Sequence, residues 1–180
     1  MAHLPKIGFK PFSKVESGTV VIPVGAKLEL GKFAGGVASD AGLGKAAAAA
    51  NFTGSSGVLN IYAPANAAFD RLTAVAEHSK SEQIGDEQDA AMALGGRIWA
   101  AISKSKGPVT LLADGPDGEY GPEAAAAIAA GMLLRAYKFD KYQTTQDDED
   151  NGKASKSKDK PLSVTIQCAD APGAKKAFKA

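Results

Sequence analysis

The sequence predicts an α/β fold of three layers, with a central mixed, mainly parallel sheet flanked by helices on both faces. Three observations carry that expectation. Short β-branched or alternating runs are interleaved with longer stretches of helical periodicity. Their order is strand, strand, helix, strand, strand, helix, strand, helix, strand, helix, and such alternation calls for crossover helices on a largely parallel sheet. The length, 180 residues, is enough for one domain, so residues 1–180 are expected to form a single unit that buries roughly 70% of its unfolded surface without disulfides or metal.

The elements follow in order. Ile7-Gly-Phe-Lys-Pro-Phe12 alternates apolar and polar residues and reads as a short strand with Pro11 near its end. Gly18 to Val24 is a continuous β-branched run, the mark of a buried strand. Gly31 to Gly36 reads as a glycine-rich loop, after which Ser39-Asp40 is expected to cap a helix through Ala46–Ala50 to Asn51. Gly54 to Gly57 is a turn, and Val58–Ala63 and Arg71–Ala76 are the third and fourth strands. Asp86, with Asp89 three residues on, opens a helix whose stripe is Ala91, Leu94, Ile98 and Ile102. Gly95-Gly96 inside it costs about 1 kcal/mol per glycine relative to alanine, which implies close backbone packing, expected against the sheet. Pro108–Ala113 is the fifth strand and Asp114–Gly118 a turn. Pro122-Glu123 opens a helix with Ala125, Ile128, Ala129, Met132, Leu133 and Ala136 on its apolar face. Residues 144–160, with the acidic block Asp147–Asp150 and Lys153, Lys156, Lys158 and Lys160, lack apolar area to offset ordering and are expected to form a mobile charged loop. Leu162–Cys168 is the last strand, and Asp170–Ala180 a helix without a stop signal.

The residues offer little chemistry. A net charge of +1, with no interleaved basic and aromatic stripe, argues against nucleic acid. Cys168 is the sole cysteine and sits in a strand pattern, where it serves as a small hydrophobe; a lone thiol suits a reducing compartment. With no apolar run of about 18 residues and no signal-like leader, the expected location is cytoplasmic and no membrane partner is expected. His3 and His78 stand far apart; His3 is read as part of a mobile terminus and His78 as a surface residue in a loop after the fourth strand. The 147–150 block lacks the spacing and glycine of a calcium loop. Gly54-Ser-Ser-Gly57 is no nucleophile elbow. Gly35 to Lys45 matches neither phosphate-binding pattern, since Lys45 is followed by Ala46. No residue is assigned a catalytic or metal-binding role.

The most specific stretch is Gly131-Met-Leu-Leu134-Arg135-Ala-Tyr137-Lys-Phe139-Asp140-Lys141-Tyr142-Gln-Thr144. It resembles the Gly-x-x-Leu-x-x-Tyr-x-Phe-Asp-x-Tyr-x-Thr signature in the N-terminal domain of leucyl (cytosol) aminopeptidases. Phe9–Phe12, Asn51–Gly54 and Asp89–Gly96 resemble further parts of that domain, so the likeness spans nearly the whole chain. One departure is Val75–Lys80, which lacks the glycine turn common in relatives. Locally, Tyr137, Phe139 and Tyr142 are expected to anchor a helix end in the core, with Asp140 capping it and Arg135 paired nearby. Gly131, Leu134, Tyr137, Phe139, Asp140, Tyr142 and Thr144 thus serve as structural signature residues.

The resemblance implies a parent exopeptidase that releases N-terminal residues using two divalent metals, zinc or manganese, in a following catalytic domain. It implies no cofactor for the present residues. The implied partners are the catalytic domain and homo-oligomer subunits, in a hexamer, and the implied role is assembly and stability. The domain also resembles macro domains, with Ala65-Asn66-Ala67-Ala68 similar to their asparagine loop and Gly35-Gly36-Val37 to their glycine loop, in reversed order. That likeness implies an alternative, a stand-alone nucleotide- or ADP-ribose-binding module.

Overall fold

Thr19–Val24 (β2) reads Thr-Val-Val-Ile-Pro-Val and is buried along its whole length, as a strand covered on both faces must be. It is the centre of the computed structural model, which describes residues 4–77, 86–137 and 161–179. Around it lie Lys6–Lys10 (β1), Val58–Tyr62 (β3), Arg71–Ala76 (β4), Val109–Leu112 (β5) and Ser163–Gln167. The short strands Asp114–Gly115 (β6) and Gly118–Glu119 (β7) form a separate antiparallel hairpin, so Ser163–Gln167 is β8. The six-stranded sheet runs β1-β8-β5-β2-β4-β3. Every pairing in it is parallel except β3 with β4, which is the mixed, mainly parallel sheet expected.

Alternation along the strands splits the core in two. One face, with Val21, Val75, Leu111, Val164 and Ile166, packs against Glu87–Ile102 (α3), Pro122–Ala136 (α4) and Ala171–Lys179 (α5). The other, with Val20, Ile22, Val24 and Leu72, lies under Ala34–Asp40 (α1) and Leu43–Ala49 (α2). The three-layer arrangement is therefore complete, although the second layer is small. Lys6, Gly8 and Lys10 are exposed on β1.

Helix α3 begins as its residues dictate: Asp86 is the N-cap and accepts the Asp89 amide at 2.9 Å, satisfying an otherwise orphan donor. Its stripe of Ala91, Leu94, Ile98 and Ile102 is buried. The glycines pack differently from expectation, because their close neighbour is α4 and not the sheet. A Cβ built on Gly95 would fall 2.8 Å from the carbonyl carbon of Ile128, and one on Gly131 2.8 Å from that of Met92. Two helix backbones meet there with no room for a side chain.

The region 31–51 also departs from expectation. Gly35 and Gly36 lie inside α1, and Ser39-Asp40 ends that helix instead of capping the next one. Helix α2 follows Gly42, which has a left-handed backbone and no side-chain cap. Ala34, Ala38, Leu43 and Ala47 bury one face of the pair, and that packing outweighs the roughly 1 kcal/mol helix cost of each glycine. The first strand stops at Lys10 and leaves Phe12 beyond it. Cys168 is fully buried in the first core cluster, where burial and the neighbouring Asp170 push its thiol pKa up. The 144–160 loop, His3 and His78 lie outside the described residues.

Candidate functional site

In a parallel α/β sheet, ligands bind beyond the carboxyl ends of the strands, where successive connections leave in opposite directions. Here β2 leads to the α1–α2 layer, whereas β5 leads to α4 on the other side. Asp114, next after Leu112 and Ala113, stands at that point with no exposure. Its Oδ2 accepts the Phe33 amide at 2.5 Å, and a side chain on Gly31 would overlap the carboxylate. The other oxygen, Oδ1, is buried with no hydrogen-bond partner among the described residues. The protein's own carboxylate thus occupies the position beside the start of α1 where a bound anion would be expected.

Beside this point opens a cavity of about 440 Å³, lined by Phe12, Phe33, Val37, Phe69 and Gln167, with Lys14 and Asp40 among its polar members. Phe12 and Phe33 stack with centroids 4.1 Å apart and planes 7° from parallel. Gln167 is buried and spent internally: its Oε1 accepts the Ser13 amide at 2.9 Å and its Nε2 donates to the Ser13 hydroxyl at 3.2 Å. Gly36 and Ala68 both border the cavity, so the structure brings together the two segments similar to macro-domain loops.

A second polar cluster ties β4 to the hairpin. Tyr120 donates its hydroxyl to Glu77 Oε1 at 2.5 Å, and the Arg97 guanidinium donates to the Glu77 main-chain carbonyl. Burial first, then the bond to and the charge of Glu77, push the Tyr120 pKa far above its ordinary value. A phenol held so firmly in its neutral form is a poor base at neutral pH; its role is to clasp elements together. Among the described residues no three His, Cys, Asp or Glu side chains converge where they could share a metal ion.

Three of the signature residues, Gly131, Leu134 and Tyr137, lie among the described residues. Gly131 makes the α3–α4 contact. Leu134 is 66% and Tyr137 61% exposed, so Tyr137 does not anchor the helix end in this core as expected. It stands at the C-cap of α4, where the backbone turns extended. Phe139, Asp140, Tyr142 and Thr144 lie outside the described residues. Sequence reasoning passed over Asp114, Glu77, Arg97 and Tyr120. An acid directly after the buried run Val109–Ala113 was a usable signal for the first of them.

The model of the cytosol aminopeptidase family N-terminal domain matches residues 21–146. The chain belongs to the cytosol aminopeptidase family. Probable cytosol aminopeptidases of Rhodopseudomonas palustris (strain TIE-1) and Nitrobacter winogradskyi are each 39% identical over 181 aligned positions, covering 99% of this chain and 34% of the relative. The chain therefore spans about a third of the length of the curated relatives it matches. Among solved structures it is similar to a tomato leucine aminopeptidase variant, with a TM-score of 0.65 at 17% identity over 99% of this chain and 35% of that one. A macrodomain variant from Oceanobacillus iheyensis gives a TM-score of 0.53 at 14% identity, over 96% of this chain and 89% of that one. Both likenesses speak to fold. No helix among the described residues of this aminopeptidase-family domain is long and apolar enough to cross a membrane.

Proposed function

We propose that this chain is a non-catalytic N-terminal domain, inactive alone, of a cytoplasmic leucyl-type aminopeptidase, and that it serves assembly and stability of the parent's subunits. The observation that carries this reading is the match to the family's N-terminal domain with only about a third of each relative covered. The parent's chemistry would be hydrolysis of the N-terminal peptide bond by metal-activated water, with two zinc or manganese ions held in the remaining two-thirds. The signature residue Leu134 supports a docking role, because it stands 66% exposed near the end of α4. Deleting the matching residues from a full-length relative tests the assembly role. The truncated enzyme is expected to sediment as species smaller than the hexamer. A truncated enzyme that still assembles and melts like the intact one refutes it.

A nucleotide- or ADP-ribose-binding module is the second reading. In its favour is the 440 Å³ cavity bordered by Gly36 and Ala68, a size that suits a small ligand. Against it, Gly35 and Gly36 are committed to a helix, and Asp114 accepts the amide that precedes them. Calorimetry decides: no heat with ADP-ribose is expected, and saturable heat would promote this reading.

A further inference from the structure

The sheet has two edges, and they differ in kind. β1 carries Lys6 and Lys10, the usual protection of an edge against pairing with another chain. β3 reads Val-Leu-Asn-Ile-Tyr, and no charged residue occurs anywhere between Lys45 and Asp70. Its backbone register shows what that edge presents. The Ala76 amide donates to the Gly57 carbonyl and the Ala63 amide to the Asp70 carbonyl, bracketing an antiparallel ladder in which Val58 faces Val75 and Tyr62 faces Arg71. Bonded pairs alternate along such a ladder. Leu59 and Ile61 therefore bond inward to β4, while Val58, Asn60 and Tyr62 turn their amides and carbonyls outward. The side chains of Tyr62 and Val58 are 85% and 40% exposed. Asn60 is held at the centre, its Oδ1 accepting the Thr73 hydroxyl at 2.8 Å.

We propose that β3 is a self-pairing edge that joins β3 of a second copy of this chain, antiparallel, about a two-fold axis at Asn60. In that register Asn60 faces its own counterpart, and Val58 of each copy faces Tyr62 of the other. All three outward residues then form bonded pairs, so every free amide and carbonyl of the strand finds a partner. A slip of one residue sets outward groups against inward ones and forms none. The side chains agree, since an aromatic residue opposite a β-branched one is a favourable cross-strand pair. Charge separates the two edges: Lys6 and Lys10 stand exposed on β1, whereas β3 carries no charged residue. A stable interface buries about 1,200–2,000 Å², more than a five-residue strand supplies. Pairing by this edge alone is therefore weak, with a dissociation constant on the order of 0.1–1 mM, and in an oligomeric parent it would add to other contacts. The inference rests on strand geometry and not on the peptidase assignment, so either can fail without the other.

Sedimentation equilibrium of the 180-residue chain, from about 10 μM to about 2 mM, tests it. Dimer is expected to accumulate only toward the upper end. Asn60→Pro removes the central outward amide, leaves the main-chain ladder to β4 intact at the cost of the Thr73 hydroxyl's acceptor, and is expected to abolish the dimer. Two double variants test the register at the same positions. Val58→Lys with Tyr62→Lys sets like charges opposite each other and is expected to weaken association at least tenfold; Val58→Lys with Tyr62→Glu sets opposite charges together and is expected to retain it. Circular dichroism melts confirm that each variant folds, and for either double variant that does not fold, Asn60→Pro decides the proposal. A chain that stays monomeric throughout, a dimer that survives Asn60→Pro, or two double variants that associate alike would each overturn the proposal.

Discussion

Gly131→Ala adds one methyl group at the α3–α4 crossing, and the structure fixes the sign of its effect. On an open helix the change stabilises by about 1 kcal/mol through propensity alone. Here the new carbon would sit 2.8 Å from the Met92 carbonyl carbon and 3.1 Å from its Cα. Backbone cannot swing aside as a flexible side chain would, so the helices must part by roughly 1 Å. A gap of that size forfeits a quarter to a half of the dispersion energy of the atoms it separates, here among Ala91, Leu94, Ile128 and Met132. Overpacking of this kind costs about 1–3 kcal/mol, occasionally more. With the strain at or above the top of that range because both walls are backbone, and the propensity gain subtracted, the net loss is about 2 kcal/mol. The melting temperature should fall by about 4–8 °C for a domain of this size. Gly96→Ala is the internal control: its Cβ would meet nothing nearer than the Gly131 carbonyl oxygen at 4.0 Å, so it should stabilise by about 0.5–1 kcal/mol. Urea unfolding followed by circular dichroism reads both. A Gly131→Ala protein as stable as the parent, or a Gly96→Ala protein as damaged as Gly131→Ala, refutes the close-crossing account.

Tyr120→Phe removes the hydroxyl from Glu77 and should cost about 1–3 kcal/mol, since a charged acceptor loses its donor. Because folding raises the Tyr120 pKa, its contribution is whole below the unfolded phenol's value near 10 and is lost progressively as pH rises above that. The stability difference between wild type and Tyr120→Phe should therefore shrink above about pH 10, and ultraviolet titration should show Tyr120 ionising only as the chain unfolds. Cys168 should resist a thiol reagent in the native state and react fully in denaturant; rapid native labelling contradicts its burial. Asp114→Ala strands the Phe33 amide and should cost about 1.5–3 kcal/mol, seen in urea unfolding and as faster hydrogen exchange at Phe33.

Legibility in the sequence followed the physics of each segment. The strand 19–24 and the stripe Ala91, Leu94, Ile98 and Ile102 are set by local period and composition, and both lie where that pattern puts them. The Asp86 cap was equally local. Helix α1 was not legible, because its glycines argue for a loop and only the burial of Ala34 and Ala38 against the sheet makes a helix favourable. The Gly95-Gly96 pair announced a close approach but not its partner, since Gly131 lies far along the chain and nothing local links them. The hairpin β6–β7 has two-residue strands, too short for any period. The polar clusters around Asp114 and Glu77 were hidden for the same reason: their partners come together only through the sheet. The family likeness at 131–144 was legible as a pattern, yet the exposure of Leu134 and Tyr137 shows that a signature need not be a core.

The central claim is that this domain carries no peptidase chemistry of its own. Incubating the purified chain with leucine p-nitroanilide and either manganese or zinc tests it most directly. The account predicts release of p-nitroaniline at the rate of the metal alone, unchanged by a chelator. Turnover that rises with protein concentration and is abolished by the chelator would contradict it.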